Sequence, residues 1–166
     1  MARLVLVGLP GVGKSTLART LADAWNCAVL DTDDLVAAKV NAPVAQYLRE
    51  HGEAAFRLRE LDALREALSA DAVVATGAGV VVTSEARALL LRAPTLWLDS
   101  DDETLLGRVG DAERPLLGAD HRQGLATLRT QREAWYRSSA RLRVDSSGTV
   151  DEVARRIQEE VESVTP

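Results

Sequence analysis

A chain of 166 residues, 46% of them hydrophobic, can bury one core without a disulfide or structural metal and is too short for two independent modules, so a single domain (1–166) is expected. Its lone cysteine, Cys27, excludes an internal disulfide framework and any cysteine-based zinc constellation, and it suits a reducing compartment. The 20 basic against 25 acidic residues give a net charge of −5 with no dense basic run, which argues against nucleic acid as a partner.

Met1-Ala-Arg3 leads directly into a strand-like segment rather than a signal peptide, and no apolar stretch nears the ~20 residues of a membrane span. A cytoplasmic protein, off the membrane and monomeric, is expected. Residues 3–7 read as a buried strand, 8–13 as a loop and 14–25 as a helix with Leu17, Leu21 and Ala24 on one face. Residues 28–30 are a second strand ending at Asp31. Residues 35–40 and 44–51 read as short helices parted by Asn41-Ala-Pro43, and 53–69 as a longer one. A third strand, 72–75, runs into Thr76-Gly-Ala-Gly79, and 84–92 is a helix capped by Thr83 or Ser84. The fourth strand (95–98) and the fifth (142–144) each lead through a polar turn to a helix. In the last helix Val150, Val153, Ile157 and Val161 make an apolar face expected to pack on the sheet. Segment 110–120, with two glycines and a proline among charges and no apolar period, reads as a mobile lid.

Short apolar strands alternating with helices predict an α/β fold with a parallel sheet covered on both faces. In such sheets ligands bind beyond the carboxyl ends of the strands. Gly8 to Ser15, Asp31 and Asp33, and Gly77 to Gly79 all fall there.

Gly8-Leu-Pro-Gly-Val-Gly-Lys-Ser15 matches G-x-x-x-x-G-K-[ST] between a strand and a helix. Its glycines let backbone N–H groups turn around a phosphate, and the helix dipole favours the same anion. Gly11, Val12, Gly13, Lys14, Ser15 and Thr16 are therefore the expected nucleotide-phosphate contacts, with Lys14 on the β/γ-phosphates and the Ser15 hydroxyl beside Mg²⁺. All but two of the basic residues are arginine, the exceptions being Lys14 and Lys39, so a lysine kept inside the glycine-rich loop stands out. Asp31 and Asp33 alternate across a strand end, so their side chains are expected to diverge, one toward the metal and the other toward an acceptor. Helix capping before Leu35 is the competing role for Asp33 or Asp34. An Arg-rich lid on a short chain suits a kinase that excludes water around a small acceptor.

From Gly8 to Tyr136 the chain resembles the shikimate kinases. The phosphate loop, Asp31-Thr-Asp33, Gly52-Glu53 before Phe56-Arg57 and Glu60, Gly77-Ala-Gly79, Arg114-Pro-Leu-Leu117, and Arg132 ahead of Trp135-Tyr136 fall in family order. The resemblance implies a three-layer α/β/α P-loop kinase fold with five parallel strands and a mobile lid at about 110–120. It also implies transfer of the ATP γ-phosphate to the 3-hydroxyl of shikimate. By the same resemblance Asp31 lies near Mg²⁺, Asp33 meets the attacking hydroxyl, and Arg57 and Arg132 clamp the acceptor carboxylate. Arg114 closes on the transferring phosphate, Arg108 stacks on adenine, and Gly77, Ala78 and Gly79 line the acceptor.

Glu60, one turn after Arg57, is placed to hold its guanidinium by an i,i+3 contact. The family has a glycine where this chain has Ala78: the alanine either adopts a positive φ, at about 1–2 kcal/mol, or narrows the pocket with its methyl. A gluconate or other polyol kinase, which would not carry the arginine clamp, and a catalytically silent ATP-binding paralogue, which needs no acceptor chemistry, are the alternatives. His51 and His121 read as surface residues, Trp25, Trp97 and Trp135 as core or pocket walls, and Cys27 as an inert buried thiol.

Overall fold

The structure is a computed structural model that describes residues 1–109 and 117–164. Most of the expected lid, Arg114 included, lies outside these residues. Strand β1 (Leu4–Val7) is apolar and buried throughout, and it pairs in parallel with β3 (Ala72–Ala75) on one side and β4 (Thr95–Asp99) on the other. β2 (Ala28–Asp31) adds to β3, and β5 (Leu142–Asp145) to β4, both parallel. The order is β2-β3-β1-β4-β5, so the chain reverses direction of travel across the sheet beside β1, where a ligand crevice opens. Leu4, Val5, Leu6 and Val7 are exposed by 1% or less, and each such apolar side chain contributes roughly 1.5–3 kcal/mol. The edge strands β2 and β5 are only partly buried.

Helix α1 (Lys14–Ala24) packs on β2, β3 and α7 (Val150–Val164), while α6 (His121–Ser139) packs on β4, α4 (Ser84–Arg92) and α5 (Asp102–Val109). The fold is the expected α/β arrangement with five parallel strands. The last helix seats on β5 of the sheet, as expected, and also on α1. Thr83 caps α4, its hydroxyl accepting the Ala86 N–H at 3.3 Å.

One boundary differs. Helix α2 (Thr32–Val40) begins three residues early because Asp31, not Asp33 or Asp34, is its cap. The two helices expected at 44–51 and 53–69 both form within α3 (Val44–Ser69), parted by a kink at Gly52, whose φ of 81° and ψ of 169° are not helical, a conformation open to glycine and strained for other residues. A smaller apolar cluster of Val36, Phe56 and Ala63 ties α2 to α3. Cys27 is half-buried rather than fully buried, and His51 is exposed, stacked on Tyr47. Trp97 is buried, with Trp25 and Trp135 partly buried against the core. No described helix is long and apolar enough to cross a membrane.

Candidate active site

The loop from Gly8 to Gly13 leaves β1 and turns into α1 at the carboxyl edge of the sheet, with Gly13 in the left-handed region at φ 96°. Lys14 is 9% exposed, and its Nζ donates to the Gly8 and Leu9 carbonyls at 2.9 and 3.0 Å. The ammonium thus sits inside the cage formed by its own loop. Ser15 Oγ donates to Asp31 Oδ2 at 2.7 Å, and Asp31 Oδ1 accepts the Asp33 N–H at 3.0 Å. Asp31 and Asp33 do diverge, but through this cap at the start of α2 rather than through strand alternation.

Gly11, Val12, Gly13, Lys14, Ser15, Thr16, Asp31 and Asp33 line one cavity of about 780 Å³ together with Arg57, Gly77, Ala78, Gly79 and Arg108. Most residues singled out in the sequence therefore meet in a single space. Burial raises the proton affinity of Asp33 above the usual carboxylate range, Asp31 adds to the effect, and Lys14 opposes it. Glu60 is raised likewise by burial, with Arg57 pulling the other way.

Arg57 projects from α3 into this space. Its Nη1 donates to Glu60 Oε2 at 2.7 Å and its Nη2 to Glu53 Oε1 at 3.1 Å, the first contact being the expected i,i+3 pair. Burial works against the guanidinium charge, but Glu60 and Glu53 more than offset it. The wall opposite is backbone. A methyl added to Gly77 would lie 2.6 Å from Asp33 Oδ1, and one added to Gly79 would lie 2.6 Å from Arg57 Nη2, so only glycine allows both side chains this close. Between them, Ala78 has no positive φ. It precedes Gly79 (φ −90°, ψ −3°) in a turn closed by Val80 N–H on the Gly77 carbonyl at 3.1 Å, the geometry of a type I turn, which accepts any residue at its first central position. Ala78 therefore carries no backbone strain, and it lines the cavity.

Arg132 is brought to the same wall but not into the cavity lining. It is 6% exposed and its Nη1 donates to the Ala78 carbonyl at 3.0 Å. Arg108 is exposed at the end of α5 and borders the phosphate loop. It donates to the Val12 carbonyl at 3.4 Å, to Ser146 O at 2.7 Å and to Gly148 O at 3.3 Å. Sequence reading missed the remainder of that wall, Ser146, Gly148, Thr149, Val150 and Val153. The signal was present, because Ser146-Ser-Gly-Thr149 follows the fifth strand just as the other site loops follow theirs. Val44, Ala45, Leu48 and Phe56 complete the lining.

A parallel sheet with a glycine-rich phosphate cage on its central strand, a lysine in the cage and a serine–aspartate pair beside it defines a P-loop phosphate-binding α/β protein. The shikimate kinase family model matches residues 10–162. The shikimate kinase of Corynebacterium jeikeium is 40% identical over 148 residues, covering 88% of this chain and 80% of the relative. That of Symbiobacterium thermophilum is 36% identical over 167 residues, covering 94% and 96%. Among solved structures, the shikimate kinase of Acinetobacter baumannii in complex with shikimate superposes with a TM-score of 0.92 at 31% identity, covering 98% of this chain and 93% of that one. The chain belongs to the shikimate kinase family.

Proposed function

We propose that this chain transfers the γ-phosphoryl group of ATP to the 3-hydroxyl of shikimate, giving shikimate 3-phosphate and ADP, as a single-domain cytoplasmic monomer. The observation that carries this reading is the shared cavity. The phosphate cage, the raised carboxyl of Asp33 and the buried Arg57 fork open onto one space of about 780 Å³. That volume accommodates a nucleotide tail and a small cyclic acid side by side. Similarity to the shikimate-bound Acinetobacter enzyme supports the choice of acceptor.

Phosphoryl transfer needs alignment and charge neutralisation more than covalent help from the protein. Lys14 would leave its loop carbonyls for the β/γ-phosphate oxygens. Asp33 would orient the acceptor hydroxyl and take its proton as the new O–P bond forms and ADP leaves. Arg57 and Arg132 would hold the carboxylate, Arg57 in a fork geometry that lysine cannot reproduce. Gly77, Ala78 and Gly79 would bound the ring. Arg108 would fix the nucleotide wall, and Arg114 is assigned to the transferring group. Ser15 and Asp31, oxygen donors 2.7 Å apart beside the cage, suit a hard divalent cation that keeps most of its water shell. Mg²⁺ bound there supplies charge neutralisation for the phosphates.

The test is a coupled ADP-release assay across shikimate, quinate, gluconate and nucleoside monophosphates, with the phosphorylated product identified by mass. A strong response to shikimate alone is expected. A stronger response to gluconate, or ADP release independent of any acceptor, would refute the assignment.

A further inference from the structure

The acceptor wall is a three-residue turn whose own side chains make no hydrogen bonds; Thr32 Oγ1 accepts the Gly77 N–H at 3.0 Å at its start, and its Ala78–Gly79 peptide is held from behind. Tyr136 and Arg132, four residues apart on one face of α6, both reach the Ala78 carbonyl: the Tyr136 hydroxyl donates at 2.5 Å and Arg132 Nη1 at 3.0 Å. A trans peptide carries its C=O and N–H on opposite sides. Drawing the Ala78 carbonyl back into α6 therefore turns the N–H of Gly79 forward, to the side where Arg57 stands.

We propose that Tyr136 is a positioning residue for the acceptor. Its hydroxyl, sharing the Ala78 carbonyl with Arg132, fixes the Ala78–Gly79 peptide so that the Gly79 N–H meets the acceptor's oxygen atoms beside Arg57. This rests on the acceptor reading above. The tyrosine is built for a fixed role: it is 1% exposed, with its ring 6.2 Å from and nearly parallel to Trp97. Burial also pushes its pKa up to about 12, so the hydroxyl stays a donor throughout the working pH range. The tolerance of the wall is small, because Gly77 and Gly79 already have no room for a methyl against Asp33 and Arg57. A tilt of the turn would alter both ends of the acceptor site together, and the nucleotide wall, which Arg108 ties to Val12 and Ser146, would stay as it is.

Tyr136→Phe removes the hydroxyl and keeps the ring. Steady-state kinetics are expected to show the shikimate KM raised about three- to tenfold, the range for loss of one buried hydrogen bond. The ATP KM should change less than about twofold. A hydroxyl that merely satisfies the core predicts a lower thermal midpoint with both KM values unchanged, or both moved equally, and either result would overturn the proposal. Should the variant fail to fold, 3-fluorotyrosine at position 136 offers a more acidic, stronger donor and is expected to lower the shikimate KM, with an unchanged value counting against the role. Wild-type protein run in parallel separates the two readings. If it leaves shikimate unphosphorylated, the proposed function falls and this inference with it. If it is active and Tyr136→Phe matches it, only the role of Tyr136 falls.

Discussion

Ser15 and Asp31 are joined by a 2.7 Å hydrogen bond between the first turn of α1 and the cap of α2, and the second carboxylate oxygen of Asp31 holds the backbone of Asp33. One side chain thus links the phosphate cage to the residue assigned to the acceptor hydroxyl. Its two duties are separable by substitution. Asp31→Asn keeps a capping oxygen and loses the charge. The thermal midpoint should hold within about 2 °C while the Mg²⁺ concentration for half-maximal activity rises about tenfold or more. Asp31→Ala should add the loss of the cap, about 1 kcal/mol, or a fall of roughly 2–4 °C. Metal titrations and thermal melts on both variants check this.

Asp33→Asn is expected to lower turnover by about 100-fold or more, the scale of a positioned acid–base group, with ATP affinity by calorimetry nearly intact. It should also stabilise the fold, in a pH-dependent way. Because the folded carboxyl holds its proton above the usual range, the native state binds more protons than the unfolded one between the ordinary carboxylate pKa and the raised value, and wild-type stability falls as pH climbs through that window. The midpoint advantage of the asparagine variant should therefore be absent well below pH 4 and present at neutral pH. The acid limb of wild-type turnover should likewise lie above the ordinary carboxylate range.

For Arg57→Lys, the fork to Glu60 and Glu53 is lost and a point charge remains. The shikimate KM should rise about tenfold or more against a much smaller change for ATP, as measured by initial rates with each substrate varied.

Arg108→Ala is the mirror case. It removes the ties from α5 to Val12, Ser146 and Gly148, and the ATP KM should rise about fivefold with the shikimate KM little changed, on the scale of one or two lost hydrogen bonds. Competition with ADP provides a second readout.

Gly79→Ala would place a methyl 2.6 Å from Arg57 Nη2. The guanidinium must then shift, so the shikimate KM should rise while ATP binding, followed by calorimetry, is unaffected.

The strands and the phosphate cage were legible because both are written locally: four- and five-residue apolar runs, and a glycine pattern with a lysine and a serine at fixed spacing. The Arg57–Glu60 pair was legible for the same reason, three residues apart on one helix. What the sequence hid depends on distant contacts. Asp31 takes the cap from Asp33 and Asp34 because Ser15, sixteen residues earlier, anchors its other oxygen. Arg132 could be named from the resemblance, but its hold on Ala78 arises only when α6 crosses behind a turn 54 positions away.

The arrangement of strands divides labour. Loops after β2 and β3 furnish one half of the crevice, the loop after β5 and the end of α5 furnish the other, and the loop after β1 stands between them. Under the proposed function, selection can therefore remodel the half assigned to the alcohol while leaving the half assigned to the triphosphate untouched, since the two are lined by residues of different loops. A scaffold partitioned in this way is free to exchange one small alcohol for another without relearning how to handle ATP.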